Sequence, residues 1–547
     1  MVAAAETLLG MKYLFPWQRL VIANIAEAAG AAGLDFDWPQ GPALEAALHE
    51  AEIEQALQHL NLSDNPKIRM ESGLDDTLDD ASSEREDAAV LGRQIVILPT
   101  GAGKSLCFQL PALLLKKPTL VLFPILSLMA DQHRRLAERG FDPVLLRGGQ
   151  SREEREKIWN CLEGGSARFV IANPEVLLTE NVMRRLGSIG FAHMVIDEAH
   201  CVSEWGESFR PSYLRIAEIA QAAGAPLTTA FTATASPEVL GKIRRYVFGD
   251  LSVHQVIGNP DRPNIDYATK GTLNKDLAVL DLVERVEKPA IVFCSSRART
   301  QKLARLIARE LPDTPTRFYH AGLERAEKDT VERWFFPITN GVLTATCAYG
   351  LGVDKGDIRT VIHRDCPPNV EAYLQESGRA GRDGKQSRAI LLWGPEDKRS
   401  LARVEKPADR LRLEKLLAYA RGISNCRRET LLALLGAACE YCSGCDVCRG
   451  EASGEYREKQ ALVNFIRRNR RRYKLQEASA ILGMQAPRGW SDGDMRNALK
   501  LLASEGSLGV SKHIFWKGCL ELGETERTRR APFSLRLEGL LPPRELT

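Results

Sequence analysis

An α/β architecture of two doubly wound parallel-sheet lobes is predicted from three observations. Short apolar runs alternate with helix-period segments from about residue 90 to 400. A Pro/Asn-rich stretch, Gly258-Asn-Pro-Asp-Arg-Pro-Asn264, splits those runs into two series and suits a linker. The 547 residues exceed one domain several-fold, so three or four folded units are expected.

The first series has runs at 93–98, 119–123, 168–172 and 193–196; the second has them at 289–294, 341–346, 360–363 and 388–392. Each reads as a strand buried on both faces, which is how parallel strands covered by helices look in sequence. After residue 400 helical periodicity dominates, followed by five cysteines from Cys426 to Cys448 and then a basic tail. Residues 454–522 read as three helices (456–470, 475–482, 491–504) and a hairpin (507–520). Ahead of the first series, residues 31–90 hold 15 Asp+Glu against 3 Lys+Arg. A helix is expected there at 42–60, and the rest reads as a solvated acidic loop.

With 44% hydrophobic and 27% charged residues, the composition excludes global disorder and fibrous repeats. The longest apolar stretches, such as residues 121–130, are half of the roughly 20 residues a membrane span needs. The opening residues lack a basic region followed by an apolar one, so neither a leader nor a membrane partner is expected. Seven of the 12 cysteines stand singly, which reads as reduced and cytoplasmic, while the cluster reads as metal. The 74 basic and 71 acidic residues name no partner, because a neutral total can hide a basic path.

Leu98-Pro-Thr-Gly-Ala-Gly-Lys-Ser105 lies between an expected strand and a helix-like segment at 106–115. Backbone N–H groups of Thr100, Gly101, Ala102 and Gly103 can close around phosphate oxygens of ATP. Lys104 neutralises β/γ charge and Ser105 offers its hydroxyl to Mg²⁺. Leu98 occupies the first glycine position of the full phosphate-loop pattern, so a structural glycine turn is the alternative. The strand at 193–196 runs into Asp197-Glu-Ala-His200, where Asp197 can hold Mg²⁺ and Glu198 can polarise an attacking water. An exposed acidic turn is the competing reading. In Tyr373-Leu-Gln-Glu-Ser-Gly-Arg-Ala-Gly-Arg-Asp-Gly384, Arg379 and Arg382 are three apart and can face one direction from a helical start. Guanidinium groups there suit transition-state charge on a γ-phosphate; a solvated basic turn is the alternative.

These residues resemble the RecQ helicases of superfamily 2, over about residues 10–24 and 91–448 and more weakly to about 525. The resemblance implies two RecA-like lobes and an ATP-dependent DNA helicase moving 3′ to 5′ on single-stranded DNA. Pro16-Trp17-Gln18 resembles the adenine-reading element with Gln18 as base reader, although Phe15 stands where Arg is usual. Ile125-Leu-Ser-Leu-Met-Ala-Asp-Gln132 resembles the segment touching the DNA backbone, which places Ser127 and Gln132 there. Phe231-Thr-Ala-Thr-Ala-Ser236 resembles the motif coupling hydrolysis to strand movement. The segment 344–355 with Asp354, and the later one with Gln375, Arg379 and Arg382, resemble the second lobe's nucleotide and DNA motifs.

His200 continues the catalytic motif into His200-Cys-Val-Ser-Glu-Trp-Gly-Glu-Ser-Phe-Arg-Pro-Ser-Tyr213, similar to the family's loop that senses single-stranded DNA. Trp205, Phe209 and Arg210 are placed to meet bases; stacking contributes roughly 1–3 kcal/mol per base. Core packing is the alternative for Trp205. Glu204, Glu207 and Ser208 stand where Gln, His and Asp are usual, which puts binding and coupling strength in question.

Cys442-Ser-Gly-Cys-Asp-Val-Cys448, with Cys426 upstream on an expected helix, supplies four thiolates for a closed structural Zn²⁺ site. Cys439 is a surplus candidate. The order Cys-Arg-Arg, then Cys-x-x-Cys-Asp-x-Cys, is that of the family's zinc subdomain, and residues 454–522 resemble its winged-helix domain. Residues 467–474 carry six positive charges in eight, so Arg467, Arg468 and Arg471 are expected to meet DNA phosphates, with a solvated helix end as the alternative. The turn at 512–517 suits an aromatic wedge at a duplex fork.

The expected division is a first lobe at 1–258 including the acidic insertion, a second lobe at 259–405, a zinc-binding subdomain at 406–452, a winged-helix-like domain at 453–525 and a tail at 526–547. A monomer is expected. The acidic segment reads either as a flap that competes with DNA or docks a protein partner, or as a tolerated surface insertion. Two other functions compete with the helicase: a DNA-stimulated translocase that unwinds poorly, and a nucleic-acid-binding scaffold without ATPase activity. Intact Lys104, Asp197, Glu198 and Arg382 argue against the scaffold.

Overall fold

Strands whose side chains are apolar on both faces must be covered on both, and each sheet here is sandwiched between two apolar clusters. The computed structural model describes residues 1–11, 13–36, 89–99, 102–204, 210–350, 355–439, 441–485 and 490–527. The expected helix at 42–60, Thr100, Gly101, Trp205, Glu207, Ser208, Phe209 and Asp354 lie outside the described residues. The chain divides into two units, Met1–Asp261 with Leu434–Ala437, and Arg262–Ala433 with Ala438–Thr547.

In the first unit, β1 (Arg93–Ile97), β2 (Thr119–Leu122), β3 (Val144–Leu146), β4 (Phe169–Ala172), β5 (His193–Ile196), β6 (Leu227–Thr232) and β7 (His254–Ile257) form one sheet. Its order is β3-β4-β2-β5-β6-β1-β7, and every pairing is parallel. Alternate residues serve opposite faces: Ile95, Leu120, Val170 and Met194 join one core, while Val96, Val121, Ile171 and Val195 join the other. Helices Pro16–Ala31 and Lys104–Leu114 supply part of the second core through Val21, Ile25, Cys107 and Phe108. This order sets the carboxyl ends of β5, β6 and β1 side by side, where an open parallel sheet offers a binding crevice.

The second unit repeats the arrangement with β8 (Ile265–Gly271), β9 (Ala290–Phe293), β10 (Thr316–Tyr319), β11 (Val342–Ala345), β12 (Thr360–His363) and β13 (Ser387–Trp393). The order is β10-β11-β9-β12-β13-β8, again all parallel. Ile291, Leu343 and Val361 face one core, and Val292, Val342 and Ile362 the other. Beyond it come the cysteine segment and a small three-helix domain. That domain packs helices Lys459–Arg468, Leu475–Gln485 and Asp492–Ser504 around Leu462, Leu482 and Leu499, against the antiparallel pair β14 (Leu508–Val510) and β15 (Leu520–Leu522). Ser491 starts the third helix as a capping box, its hydroxyl accepting from Asp494 N–H and the Asp494 carboxylate accepting from Ser491 N–H.

All eight expected strand runs are strands. Five parallel strands were not anticipated: β3, β6, β7, β8 and β10. β3 has only three residues, and the others carry Thr, His, Asp, Lys or Arg within the run, so a purely apolar criterion passes over them. The polar groups are accommodated inside. The Thr229 hydroxyl of β6, for example, lies 2.9 Å from His193 Nε2 of β5.

Candidate nucleotide site and metal centre

The turn after β1 is positioned by its neighbours on the Pro16–Ala31 helix. Gly103 caps the Lys104–Leu114 helix in the left-handed region with φ 73°, open to glycine without steric penalty. A Cβ at Gly103 would stand 2.4 Å from Gln18 Nε2, so the position also needs glycine for space. Trp17 Nε1–H donates to Ala102 O at 3.1 Å, and Gln18 Nε2 donates to Ala102 O at 3.1 Å. Gln18 Oε1 accepts from Phe15 N–H at 2.9 Å. Sequence reasoning placed Gln18 at the nucleotide site but missed that its amide grips the loop itself; only the fold brings residues 84 positions apart into contact. Lys104 and Ser105 open the helix half-buried, with Lys104 Nζ donating to Leu98 O at 3.4 Å.

At the end of β5, Asp197 is buried and its carboxylate accepts from Glu198 N–H at 3.0 Å. Burial, reinforced by the neighbouring Glu198 charge, raises the Asp197 carboxyl above the usual carboxylate range, against the pull of Lys104. A cation beside Asp197 would offset that cost. Glu198 adopts φ 52°, a left-handed conformation uncommon for a residue with a side chain. Its Oε2 lies 3.3 Å from His200 Nδ1, which also lies 3.1 Å from Thr232 Oγ1 at the end of β6. Thr232 gives its hydroxyl proton to Thr234 O at 2.9 Å, so the hydrogen between His200 and Thr232 sits on Nδ1. The strand order thus brings Lys104, Asp197, Glu198, His200 and Thr232 onto adjacent strand ends of one sheet.

Two of the candidate DNA contacts in the first unit have internal partners. The Arg210 guanidinium donates to Pro124 O and lies 3.8 Å from the Glu175 carboxylate. Gln132 Oε1 accepts from Gln109 Nε2 at 3.1 Å, whereas Ser127 is exposed on the first turn of the Leu126–Glu138 helix.

In the second unit, Gln375 is half-buried on the Val370–Ser377 helix. Arg379 and Arg382 do not start a helix as expected. They lie in the turn that follows this one, because Gly378 caps it and Gly381 takes φ 56°. Arg262 holds that turn, donating to the carbonyls of Gly378, Ala380 and Gly381 at 3.0–3.2 Å.

The sulfur atoms of Cys426, Cys442, Cys445 and Cys448 all lie within 4.8 Å of one another, with Cys426 and Cys445 3.9 Å apart. Four thiolates around one Zn²⁺ at about 2.3 Å place sulfurs roughly 3.8 Å apart, so the donor set and spacing fit a closed tetrahedral site. Cys439 is not in the group; its sulfur faces Tyr441 O at 3.4 Å. Cys426 precedes the Arg427–Leu434 helix and is not on it. The surrounding contacts fasten the cluster to β8. Asp446 Oδ2 accepts from Thr269 N–H at 2.8 Å, Asp446 N–H donates to Tyr267 O at 3.1 Å, and Arg427 Nε pairs with Asp446 Oδ1 at 2.8 Å. Arg428 donates to Arg262 O and Ile265 O while lying over the Tyr267 ring at 5.3 Å.

In the small C-terminal domain the three candidate arginines differ. Arg468 is exposed, and Arg467 donates to Asn464 Oδ1 at 2.7 Å. Arg471 turns inward, pairing with Glu521 at 2.8 Å and covering the Trp516 ring at 5.2 Å. Ile514 and Phe515 stand 87% and 82% exposed.

Known proteins match this layout. The DEAD/DEAH box helicase family model covers residues 82–243, the helicase conserved C-terminal domain covers 274–384, and the RecQ zinc-binding model covers 395–449. The ATP-dependent DNA helicase RecQ of Pasteurella multocida is 34% identical over 377 residues, which are 66% of this chain and 58% of that protein. The probable ATP-dependent DNA helicase RecS of Bacillus subtilis is 39% identical over 55% of this chain and 61% of that protein. The Bacillus subtilis ATP-dependent DNA helicase RecQ is 32% identical over 74% of this chain and 69% of that protein. This chain therefore spans about three-fifths of the length of the first two relatives and over two-thirds of the third.

Proposed function

Because this chain belongs to the RecQ family, we propose that it is an ATP-dependent DNA helicase, hydrolysing ATP to move 3′ to 5′ along single-stranded DNA and open duplexes. The convergence of Lys104, Asp197, Glu198, His200 and Thr232 on adjacent ends of β1, β5 and β6 carries this reading. Thr100, Gly101, Ala102 and Gly103 cradle the phosphates with backbone N–H groups, and Lys104 neutralises their charge. Ser105 and Asp197 would hold Mg²⁺, which stabilises charge developing on the transferred phosphoryl group. Glu198 orients the attacking water and takes its proton. His200, with its hydrogen on Nδ1 directed to Thr232 and the Glu198 carboxylate 3.3 Å from the same nitrogen, stands between the catalytic carboxylate and the 231–236 segment. In the second unit, Gln375, Arg379 and Arg382 are the proposed catalytic residues, with guanidinium groups suited to γ-phosphate charge, and Asp354 is the proposed nucleotide-binding residue.

Ser127, Gln132, Trp205, Phe209 and Arg210 form the proposed path for single-stranded DNA. Arg467 and Arg468 take duplex phosphates from the winged-helix-like domain, where Arg471 braces the wing bearing the exposed Phe515. Zn²⁺ acts as a folding clamp for residues 426–448. Four thiolates kept ready for metal require reduced thiols, which suits the cytoplasm; among the described residues no helix is long and apolar enough to cross a membrane. The boundaries read from sequence, at 258, 405, 452 and 525, serve as the working division into lobes, zinc subdomain and winged helix.

Forked duplexes carrying either a 3′ or a 5′ single-stranded tail test the function. ATP-dependent strand separation only with the 3′ tail is expected; separation only with the 5′ tail, or without ATP, contradicts it. A DNA-stimulated translocase with weak unwinding is the second reading, favoured by Glu204, Glu207 and Ser208 in the sensing loop. It predicts stimulated turnover with little separation of either fork.

A further inference from the structure

The Pro/Asn-rich stretch between the two strand series ends in Arg262-Pro-Asn264, and within the second unit this end is not a slack connection. It is fastened by the cysteine segment. Arg428, buried and two residues after Cys426, donates to Arg262 O at 3.1 Å and to Ile265 O at 2.6 Å. Ser443, next to Cys442, donates its hydroxyl to Pro263 O at 2.6 Å. Ile265 then enters β8, so the strap 262–265 is held along its whole length.

The side chains of the strap grip the turn that carries Arg379 and Arg382. Arg262 Nη1 donates to Gly378 O at 3.0 Å, and Nη2 donates to Ala380 O at 3.2 Å and Gly381 O at 3.0 Å. Asn264 Nδ2 donates to Gly381 O at 2.8 Å and Lys385 O at 2.9 Å. Arg262 thus holds the carbonyls on both sides of Arg379, and both strap residues hold the carbonyl that leads into Arg382. These groups follow the Val370–Ser377 helix, where a chain leaving a helix has carbonyls without intrahelical partners. Gly381, at φ 56°, has no room for a side chain: a Cβ would stand 2.5 Å from Asn264 Nδ2. Further anchors are Gly381 N–H, donating to Ile358 O at 2.8 Å, and Asp383, paired with Arg359 at 2.5 Å. A turn without regular secondary structure takes its shape from such contacts, and its shape sets where the two arginines stand.

We infer that Arg262 is a positioning residue for ATP hydrolysis, with Asn264 as its companion: together they fix the backbone that carries Arg379 and Arg382. The inference rests on the reading of those two arginines as catalytic. A charge that stabilises a transferring phosphoryl group works only where it is held in place, and a misplacement of about 1 Å costs about 100-fold in rate. Arg262 acts through the shape of the turn and not through its own charge. A planar guanidinium offers donors in a fixed fork to several carbonyls at once, whereas a lysine ammonium is a point charge on a flexible stem.

The test is steady-state ATP turnover of the full chain with a single-stranded oligonucleotide, together with hydrogen exchange across residues 378–387, in Arg262→Lys, Asn264→Ala, Arg379→Ala and Arg382→Ala. Arg262→Lys, which keeps the charge and loses the fork, is expected to lower kcat by about tenfold to 100-fold. KM for ATP and affinity for the oligonucleotide should stay within about twofold of wild type. Exchange in the turn should quicken while that of β1 and β5 is unchanged. Asn264→Ala should shift kcat and exchange in the same direction by less. Unchanged zinc content and thermal midpoint show that a variant is folded, and Asn264→Ala carries the test if Arg262→Lys is not. A quickened turn with wild-type kcat, or a fallen kcat with the turn's exchange unchanged, overturns the inference; so does a loss that lies in KM alone. Wild-type turnover in both Arg379→Ala and Arg382→Ala removes the catalytic reading of the turn and this inference with it. Loss in those two beside wild-type turnover in Arg262→Lys and Asn264→Ala overturns this inference alone.

Discussion

At Glu198 the backbone takes φ 52° and is held there by Ala199 N–H donating to Phe231 O at 2.8 Å. Such a conformation costs roughly 1–2 kcal/mol for a residue with a Cβ. Glu198→Gly should therefore leave the thermal midpoint unchanged or raise it, while ATP turnover falls by about two orders of magnitude with loss of the proton acceptor. Gly103→Ala should do the reverse of sparing structure. It meets Gln18 Nε2 at 2.4 Å in a left-handed position, and weaker nucleotide binding with about 1 kcal/mol lost in urea unfolding is expected. His193, fully buried on β5, has its imidazole pushed down to about 3 by burial. The folded state holds it neutral, so its stability is complete above the ordinary histidine pKa of about 6.5 and declines as pH falls from there toward 3. Urea midpoints of the wild type should fall more steeply below pH 6.5 than those of His193→Gln. Spacing and residue type made Lys104, Asp197 and the four thiols legible in the sequence. The engagement of Gln18, Arg210 and Arg471 was not, since their partners Ala102, Pro124 and Glu521 are tens of residues away and only the fold selects them.

The zinc segment behaves as a fitted piece of the second sheet. Tyr267 bridges to Cys445, and Asp446 takes the Thr269 N–H that edge strand β8 would otherwise leave open. Arg427 and Asp446 are both almost wholly buried, so removing one leaves an uncompensated charge. Asp446→Ala should cost about 3–5 kcal/mol in urea unfolding of the second unit. Cys445→Ser should lower zinc content from about one ion per chain to near zero, measured by metal analysis; unchanged zinc would remove the clamp from the account. Elements built on uninterrupted apolar runs, such as β2 and β9, were readable because burial on both faces leaves no polar alternation. β6 was not, because its Thr228, Thr229 and Thr232 interrupt the apolar run, and only the fold supplies the inside partners of the Thr229 and Thr232 hydroxyls.

Across the whole chain, 74 basic and 71 acidic residues nearly cancel, yet they are unevenly distributed. The segment 31–90 is strongly acidic, and 467–474 is strongly basic. Deleting residues 35–85 separates the two readings of the acidic segment: tighter DNA binding indicates a competing flap, and unchanged affinity a surface insertion. The central claim is that hydrolysis at the β1–β5–β6 edge is driven by single-stranded DNA. Steady-state ATP turnover with and without an unstructured single-stranded oligonucleotide, beside a Lys104→Ala control, tests it most directly. Turnover that rises at least tenfold with the strand and vanishes in Lys104→Ala is predicted, consistent with loss of the phosphate-loop charge. Turnover with DNA no higher than that of Lys104→Ala would contradict it.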